Sequence, residues 1–446
     1  MERRARQPAL RRDAPRLKPA LTGKAPEILS GGRVLFARLR LSAKILKYLV
    51  QRRKYPLFRL GETFRSQRLL RRMKFNRVIR HDGTYRSSLM VPPWPSKAFD
   101  RMAANGGLNL AAAGTPLRNH VDQALLSVTR RCTFACEHCY ERFNLGDEEI
   151  IPLGRWQEVV REIQEVGTGV VTLTGGEPFL RYEDLLALVE GGDKDASEFH
   201  VHTSGHGVTL ERAVELKAAG LGAAAVGLDH HLPEHHDQIR GHAGAFSEAT
   251  AALGHFHEAG LLTYLNTCLG PDLVRSGGLP RLLSLAGRLG ATAVRLLEPC
   301  PCGGYFGRTP NSLFSESDRR QTEMFFLQAN RDARQTKAPL IIHGSYAEAP
   351  ELLGCRLGGL TLFHIDAVGN VAPCVFVPVS FGNIREEDFP TIWQRMRIAT
   401  PRPLRSGCAG VNLAAAIRQK HEEGVPLPIP YPAIEREWTA MWEAAS

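Results

Sequence analysis

The sequence lacks the features that mark membrane-spanning and secreted proteins. Its 446 residues contain no uninterrupted apolar run approaching the roughly 18 residues that cross a bilayer. The Arg-rich N-terminus lacks the apolar core and cleavage site of a signal peptide, so we expect no secretion. The length and composition predict a globular cytoplasmic protein of about two or three domains.

Cysteine is scarce and unevenly placed. The chain has nine cysteines, an odd number, and most of them fall in short clusters. This distribution argues against a regular disulfide framework. Because grouped cysteines in a reducing cytoplasm more often bind metal or take part in catalysis, we interpret the clusters in that way.

Acidic residues are nearly missing from the first 80 positions. These positions hold 24 Lys or Arg and 4 Asp or Glu, a balance of +20, whereas the remaining residues hold 33 and 42, a balance of −9. The basic character therefore belongs to an N-terminal segment and suggests contact with a membrane, a nucleic acid or a peptide. Since no aromatic residues are regularly interleaved there for base stacking, we do not expect nucleic acid to be the partner.

The N-terminal segment divides into two predicted parts. Residues 1–30 lack periodicity and are predicted to be a disordered basic tail. Residues 31–120 are predicted to be a basic helical extension, because apolar residues recur at helical spacing from Val34 to Val50 and a second basic stretch runs from Arg65 to Arg80. Such a helix either packs on the next domain or lies on an anionic membrane surface, giving peripheral association.

From about residue 121, short β-rich runs alternate with helical stretches. This order predicts an α/β fold with a parallel sheet, and the number of units favours a partial (β/α)6 TIM-like barrel over residues 121–335. Function in such folds collects at the C-terminal ends of the strands. The predicted strands are 124–129, 169–174, 198–203, 223–229, 262–268 and 293–298. The predicted helices are 153–166, 182–190, 209–219, 244–259 and 279–289.

Three cysteines follow the first predicted strand in one short loop. Cys132, Cys136 and Cys139 have C-x3-C-x2-C spacing, and thiolates at such spacings hold iron–sulfur cubes. Most protein-bound cubes use four cysteines, so three predict an iron with an open position. After the second predicted strand comes Gly175-Gly176-Glu177-Pro178, where two glycines let the backbone approach a ligand.

These two motifs at consecutive strand ends resemble the signature of the radical S-adenosylmethionine (SAM) superfamily over roughly residues 121–300. The resemblance implies that Cys132, Cys136 and Cys139 hold a catalytic 4Fe-4S cube whose fourth iron is chelated by SAM. It also implies that Gly175, Gly176 and Glu177, with Pro178 beside them, bind the cofactor. An electron from the reduced cube then cleaves SAM to methionine and a 5′-deoxyadenosyl radical, which abstracts hydrogen from the substrate.

Two further segments resemble parts of the same family. Ser204, in His202-Thr203-Ser204-Gly205, occupies the place of a Thr-Asn-Gly-type segment near SAM, although a simple polar turn is the alternative. Arg240, in an Asp-x-x-Arg-Gly segment, either grips a carboxylate of SAM or only caps its own loop. The four histidines between positions 230 and 236 are interpreted as a polar loop, and we assign no metal to them.

The C-terminal region, residues 336–446, has its own thiol pattern. Cys355, Gly369 and Cys374 enclose residues that predict a β-hairpin with a turn at Gly369-Asn370. This region resembles the opening of SPASM and twitch auxiliary-cluster domains, although only Cys408 remains of the later SPASM cysteine run. The resemblance implies one auxiliary 4Fe-4S cluster held by Cys355, Cys374 and Cys408.

The fourth ligand of this auxiliary cluster is left open by the sequence. Cys300, Cys302, a non-cysteine side chain and the substrate are the candidates. Zinc bound by the same three cysteines is an alternative to iron, because spacing distinguishes the two metals poorly. Cys268, inside the fifth predicted strand, is expected to be a small buried hydrophobe.

The function implied by this resemblance is that of a radical SAM enzyme acting on a peptide or protein side chain, with an electron donor such as flavodoxin or ferredoxin. A small molecule, or a lipid reached through the basic N-terminus, is the alternative substrate. An alternative of another class is a non-catalytic iron–sulfur electron-transfer protein. Such a protein needs no SAM site, and Gly-Gly-Glu-Pro argues against it.

Overall fold

The structure is a computed structural model that describes residues 26–30, 32–37, 40–41, 77–107, 120–331 and 338–444. Most of the predicted basic tail lies outside these residues. So do most of the periodic stretch that begins at Val34 and most of the basic stretch that begins at Arg65. The domain boundaries inferred from the sequence stay predictions.

The N-terminal region contains a three-stranded antiparallel sheet where the sequence predicted a disordered tail and a helical extension. Its strands, in spatial order, are β1 (Glu27–Leu29), β2 (Val78–His81) and β3 (Thr84–Arg86). The prediction was wrong for these residues because each strand is too short to show a period of two. In addition, β1 pairs with a strand far away in sequence. Helix in the described part of this region is limited to residues 32–37 and 40–41 and α1 (Lys97–Ala104).

The centre of the molecule is a nine-stranded sheet whose neighbouring strands are parallel, except for the last pair. The six predicted strands are confirmed, with ends displaced by a few residues. They are β4 (Val121–Ser127), β5 (Thr168–Thr174), β6 (Glu198–Thr203), β7 (Leu221–Gly227), β8 (Leu262–Cys268) and β9 (Ala293–Leu297). Three strands that the sequence did not assign to the barrel extend this sheet. They are β10 (Leu340–His343), β11 (Leu362–Ile365) and β12 (Val371–Ala372).

Seven helices lie between these strands, and all but α5 and α7 were predicted. In α2, Trp156, Val159, Val160 and Ile163 recur at helical spacing and are all buried, so this face packs into the core. The seven are α2 (Leu153–Glu165), α3 (Tyr182–Gly191), α4 (Leu210–Ala219), α5 (Pro233–Arg240), α6 (Ala245–Glu258), α7 (Pro271–Arg275) and α8 (Leu279–Arg288). No helix in the described ranges has the length and apolar composition needed to cross a membrane.

The sheet has two different faces and does not close. Its strand order is β10-β9-β8-β7-β6-β5-β4-β11-β12, so β10 and β12 are edges. Val226 and Val294 belong to the large core shared with the helices, whereas Ala225 and Ala293 belong to a separate cluster on the opposite, inner face. This arrangement confirms the predicted α/β partial barrel.

The N-terminal sheet packs onto the inner face of the barrel. Ile79 of β2 and Leu89 contact small and apolar side chains of β7 to β10, among them Tyr264. Arg86 of β3 donates to Glu198 at the start of β6, with Nη1 3.1 Å from Oε2. Because most of these contacts involve residues in the N-terminal halves of the barrel strands, the C-terminal strand ends are left for the functional site.

Beyond β10, the chain forms a small α+β unit. β11 and β12 are the antiparallel hairpin predicted from the sequence, with Gly369 at φ +98° in its turn. β11 also pairs in parallel with β4, so this unit continues the barrel sheet. The remaining strands are β13 (Val379–Ser380) and β14 (Ile429–Pro430). The helices after β9 are α9 (Pro310–Leu313), α10 (Glu316–Arg331), α11 (Gly344–Ala347), α12 (Phe389–Ala399), α13 (Ala409–Asn412), α14 (Ala414–Glu422) and α15 (Glu435–Glu443).

Candidate active site

The first cysteine loop follows β4 and rests on the C-terminal end of α5. The N–H groups of Ala135 and Glu137 donate to the carbonyl oxygens of Arg240 and Ile239, at 3.1 and 3.0 Å. Carbonyl groups in the last turn of a helix lack an intrahelical donor, so the loop satisfies them. Gly241 follows at φ +58°, and a Cβ there would lie 2.7 Å from the Ala135 carbonyl oxygen. The cysteine loop and the Arg240 segment therefore fold against each other.

The three thiols of this loop converge on one apolar patch. Cys136 is buried, Cys132 and Cys139 are half-buried, and all three pack with Phe134 and Ala245. Burial raises the pKa of Cys132 to about 11 and that of Cys139 to about 12. Protonated thiols are poor nucleophiles, whereas a bound metal ion removes their protons. The donor set therefore fits a metal cluster better than it fits thiol catalysis.

The two positions after β5 require glycine because any side chain there would collide with the backbone at the start of the cysteine loop. A Cβ on Gly175, which has φ +137°, would lie 2.6 Å from the Thr129 carbonyl oxygen. A Cβ on Gly176 would lie 2.1 Å from the Arg131 carbonyl oxygen. The N–H of Gly176 donates to the Thr129 carbonyl oxygen at 2.9 Å. The glycine segment and the cysteine loop thus form one surface, as the spacing of the two motifs predicted.

Glu177 is fully buried and links this segment to the end of β6. Its carboxylate accepts hydrogen bonds from the Thr203 hydroxyl at 2.7 Å and from the Ser204 N–H at 2.8 Å. The Ser204 hydroxyl and the Phe179 N–H donate to the same carboxylate. Burial nevertheless raises the pKa of Glu177. The carboxylate therefore connects two strand ends, and contact of Gly175, Gly176, Pro178 and Ser204 with SAM stays a prediction.

Asp229, at the end of the β7 segment, organises the opposite side of the loop. Its Oδ2 lies 2.8 Å from Nε of Arg240 and 3.0 Å from Nε2 of His138, while its Oδ1 accepts the Cys268 N–H at 2.8 Å. Burial by itself would raise the pKa of Asp229, but the charge of Arg240 and the nearby His138 hold it far below its usual range. Sequence reasoning did not assign a role to Asp229 or His138, although the carboxylate at a strand end was a usable signal.

Arg240 thus has a partner that the sequence did not predict. Besides Asp229, its Nη1 lies 3.9 Å from Sγ of Cys136. A Cβ on Gly227 would lie 2.3 Å from its Nη2, so the guanidinium crosses the end of β7 where only glycine leaves space. The structure places a fixed positive charge beside a cluster thiol. Whether this guanidinium also binds SAM stays a prediction.

Five cysteines from separate parts of the chain form a second set. The thiol of Cys302 and burial raise the pKa of Cys300, and the thiol of Cys408 opposes them, so the three thiols lie near one another. A Cβ on Gly410 would lie 2.9 Å from Sγ of Cys300, so α13 approaches this thiol closely. Burial raises the pKa of Cys374 to about 12, and the thiol of Cys408 raises it further. The five members are Cys300, Cys302, Cys355, Cys374 and Cys408.

The geometry of the second set disfavours a single zinc ion. With zinc–sulfur bonds of about 2.3 Å, tetrahedral ligands lie about 3.8 Å apart. Among the described residues, no three cysteines have donor atoms all within 4.8 Å of one another. A cube binds each thiolate to a different iron and so separates its ligands more widely. The arrangement supports the iron alternative, and the roles of Cys355, Cys374 and Cys408 as ligands stay predictions.

The two cysteine sets are joined by direct contact of their loops. The N–H of Gly304 donates to the Cys139 carbonyl oxygen at 2.9 Å, and the Tyr305 hydroxyl donates to Oε1 of Glu137 at 2.9 Å. A Cβ on Gly303 would lie 2.1 Å from the Cys139 carbonyl oxygen. The segment that carries Cys300 and Cys302 therefore lies against the first cysteine loop.

Polar side chains occupy part of the inner face of the sheet. Nε2 of His202 lies 2.9 Å from Oη of Tyr264. Arg295 of β9 lies two residues after Ala293 and so shares its inner face. No hydrogen bond or ion pair joins Arg295 to another residue in the described part of the chain. Burial, and next the charge of Arg295, lower the pKa of His202. Burial raises the pKa of Glu348, and the charges of Arg356 and Arg295 oppose this, so the guanidinium of Arg295 has a nearby counter-charge.

Comparison with known protein families decides the identity of these two regions. A model of the radical SAM superfamily matches residues 126–276. A model of the SPASM iron–sulfur cluster-binding domain matches residues 355–414. The chain contains a radical SAM domain and a SPASM domain. These domains imply 4Fe-4S clusters and SAM as cofactors, and the homologues of this radical SAM protein are enzymes.

The relatives of this radical SAM protein act on different kinds of substrate. The AdoMet-dependent heme synthase of Nitratidesulfovibrio vulgaris is 25% identical over 290 residues, which cover 60% of this chain and 77% of the relative. The PqqA peptide cyclase of Rhizobium meliloti is 26% identical over 280 residues, covering 60% of this chain and 72% of the relative. The names of these relatives therefore do not agree on one substrate class.

Solved structures show the same fold. The structure of native anSMEcpe with bound AdoMet and the Cp18Cys peptide has a TM-score of 0.52 and 14% identity, covering 72% of this chain and 98% of that chain. The structure of native anSMEcpe with AdoMet has a TM-score of 0.51 and 14% identity, covering 72% and 99%. At this identity, the likeness shows the fold of the radical SAM protein and nothing finer.

Proposed function

We propose that this radical SAM enzyme modifies a peptide or protein side chain and that its second cysteine set takes part in the reaction. SAM, when bound at the first cysteine loop, supplies a 5′-deoxyadenosyl radical that abstracts a hydrogen atom from the substrate. Hydrogen abstraction leaves a substrate radical, and a stable product that is more oxidised must lose a further electron and a proton. Cysteines of the second set would hold an auxiliary cluster, which would supply an acceptor for that electron.

The direct contact between the two cysteine-bearing loops carries this proposal. Gly304 and Tyr305 bond to the backbone of Cys139 and the side chain of Glu137, so the second set borders the first rather than lying in a detached domain. A metal site that served only to stabilise the C-terminal unit would not need this placement.

A peptide substrate is favoured by two peptide cyclases among the relatives. The PqqA peptide cyclases of Rhizobium meliloti and Ruegeria pomeroyi are 26% and 28% identical to this chain, each over 280 residues. Under this proposal, the peptide enters at the C-terminal ends of the strands, because the N-terminal sheet covers the other end of the inner face.

A carboxylate-bearing small molecule is the second candidate substrate. The heme synthase relatives favour it, and so does Arg295, whose guanidinium on the inner face can bind a carboxylate. A lipid at the membrane surface is a third candidate and depends on the basic N-terminal segment, most of which lies outside the described residues. Reduction by flavodoxin or ferredoxin belongs to the same proposal.

The substrate class is tested by product analysis with anaerobically reconstituted protein, dithionite and SAM. The candidate peptides are short peptides encoded next to this gene, and they are compared with iron coproporphyrin and with anionic lipid vesicles. The proposal predicts that a peptide stimulates 5′-deoxyadenosine formation and itself changes mass. A mass change confined to the tetrapyrrole or the lipid would overturn the peptide assignment and leave the radical chemistry intact.

Arg295 provides a second test of the inner face as the substrate site. Arg295→Gln is expected to lower substrate-dependent turnover at least about tenfold, because a charge-assisted hydrogen bond is lost. SAM cleavage without substrate should be unchanged. Arg385→Gln, at an exposed position, is the control. Equal turnover of wild type and Arg295→Gln would remove Arg295 from the substrate site.

A further inference from the structure

Two histidines and a glutamate form a compact cluster beside Phe134, which also packs with the thiols of the first set. His206 lies in the loop after β6, His242 directly follows Gly241, and Glu248 lies in the first turn of α6. Nδ1 of His206 is 2.8 Å from Oε2 of Glu248, and Nε2 of His242 is 3.0 Å from Oε1. The three donor atoms all lie within 4.8 Å of one another. In the described part of the chain, this is the one such set of potential metal ligands.

The ring planes are held so that both imidazoles point at the same carboxylate. Phe134 stacks on His242 with ring centroids 4.1 Å apart and planes inclined by 14°. The same phenyl ring meets His206 edge-on at 6.0 Å, and the two imidazoles are inclined to each other by 80°. Fixing the orientation of a ligand ring by surrounding groups is a regular feature of metal sites.

A hydrogen-bonded network without metal is the simplest explanation of the cluster. Each neutral imidazole can donate one N–H to one carboxylate oxygen, and this satisfies all three groups. The same geometry also suits one ion, because ligands bound at about 2.0–2.2 Å lie roughly 3 Å apart around it. Convergence of both imidazoles on a single carboxylate distinguishes this cluster from the scattered histidine pairs elsewhere on the barrel. The half-buried side chains leave access for an ion and for water.

We propose that His206, His242 and Glu248 bind one divalent transition-metal ion, separate from both cysteine sets. Two imidazoles and one carboxylate, with an open position for water, form a typical ligand set for zinc. The ion would replace the two N–H protons and join three segments that meet at the first cysteine loop. These segments carry Ser204, Arg240 and the start of α6. The proposal concerns a structural clip and is independent of the substrate class.

The test measures metal content and not turnover. Wild-type protein with fully reconstituted iron is stripped with a weak chelator, titrated with zinc or cobalt, and analysed for metal per chain. We expect one tightly bound equivalent, with cobalt absorption bands of nitrogen and oxygen ligation. Glu248→Gln and His242→Ala should each lose this equivalent or bind it at least about tenfold more weakly. His255→Ala, on the same helix and outside the cluster, should keep it.

Two variants separate the metal site from the hydrogen-bonded network. Glu248→Gln retains an acceptor for an imidazole N–H, so it should fold, and its loss of zinc cannot be attributed to unfolding. Zinc should raise the melting temperature of the wild type and leave that of Glu248→Gln unchanged. The proposal is overturned if both proteins bind equal amounts of zinc, or if zinc binding disappears only when cysteines are replaced.

Discussion

The two cysteine sets of this protein are built in opposite ways. The first is contained in one loop, Cys132 to Cys139, which closes on the adjacent ends of β5 and α5 through backbone hydrogen bonds. The second collects thiols from Cys300 to Cys408, and the segments that carry them meet only when the C-terminal unit docks on the barrel. The first set can form once the barrel strands are in place, whereas the second depends on the whole fold.

Their electrostatic surroundings differ as well. The first set has a fixed cation beside it, since Arg240 is paired with the buried Asp229 and its Nη1 lies 3.9 Å from Sγ of Cys136. The second set has charges of both signs nearby, since Glu348 raises the pKa of Cys355 after burial has done so and Arg295 opposes the rise in the pKa of Cys374. Positive charge near a cluster favours its reduced form, and negative charge disfavours it. The first set therefore borders a close ion pair, whereas the second borders two opposite charges that no ion pair joins in the described part of the chain.

The largest expected effect is confined to the first set. Cys136→Ala removes the buried member of the three thiols, so reductive SAM cleavage to 5′-deoxyadenosine should fall to background. Chromatography of reduced, reconstituted protein measures this. Cys268→Ala is the matched control, because Cys268 lies at the end of β8 outside both sets. Substantial SAM cleavage by Cys136→Ala would contradict the assignment of the first loop as the cluster site.

Replacing a cysteine of the second set should lower the iron content without abolishing SAM cleavage. Cys374→Ala is expected to lower iron content by about four atoms per chain while leaving unproductive SAM cleavage. Iron analysis and 5′-deoxyadenosine formation are measured on the same preparation. Cys300→Ala should behave similarly if Cys300 is the fourth ligand, and Cys302→Ala should then keep its iron. Unaltered iron in Cys374→Ala would end the interpretation of this set as a second cluster.

A smaller effect, on stability, is expected when the carboxylate that pairs with Arg240 beside the first set is removed. Asp229→Asn leaves the buried Arg240 without its counter-charge, which should lower the free energy of unfolding by about 3 kcal/mol. Chemical denaturation measures this difference. The comparison is Asp195→Asn, whose exposed ion pair with Lys97 should contribute nothing measurable. Equal effects of the two variants would show that Asp229 does not stabilise this side of the loop.

The smallest effect is a pH dependence of the free energy of unfolding caused by His236, which contacts Asp229. His236 accepts the Asp229 N–H through Nδ1, and burial lowers its pKa to about 4. The unfolded chain binds this proton near pH 6.5, so stability should decline as the pH falls from 6.5 towards 4, by about 2 kcal/mol at pH 5. Denaturation at several pH values measures the slope. His236→Gln should reduce the slope of the free energy of unfolding against pH by the equivalent of about one bound proton. An unchanged slope would exclude His236 as its cause.

Local patterns explain what could be predicted before the structure. The predicted alternation of strands and helices over residues 121–298 was confirmed because each element has its own apolar periodicity. Trp156 to Ile163 show this periodicity in α2. The radical SAM and SPASM assignments were confirmed because their motifs occupy short stretches of chain. The three-stranded N-terminal sheet was missed because its strands are short and its pairing joins distant segments.

The sequence by itself determined the barrel strands, the first cysteine loop and the glycine segment, since neighbouring residues specify each of them. Only the tertiary structure decided that Cys300 and Cys302 join Cys408, that Arg240 is paired with Asp229, and that the N-terminal sheet covers the inner face. These contacts join residues far apart in the chain. No local spacing encodes them, because they depend on how separately formed elements pack together.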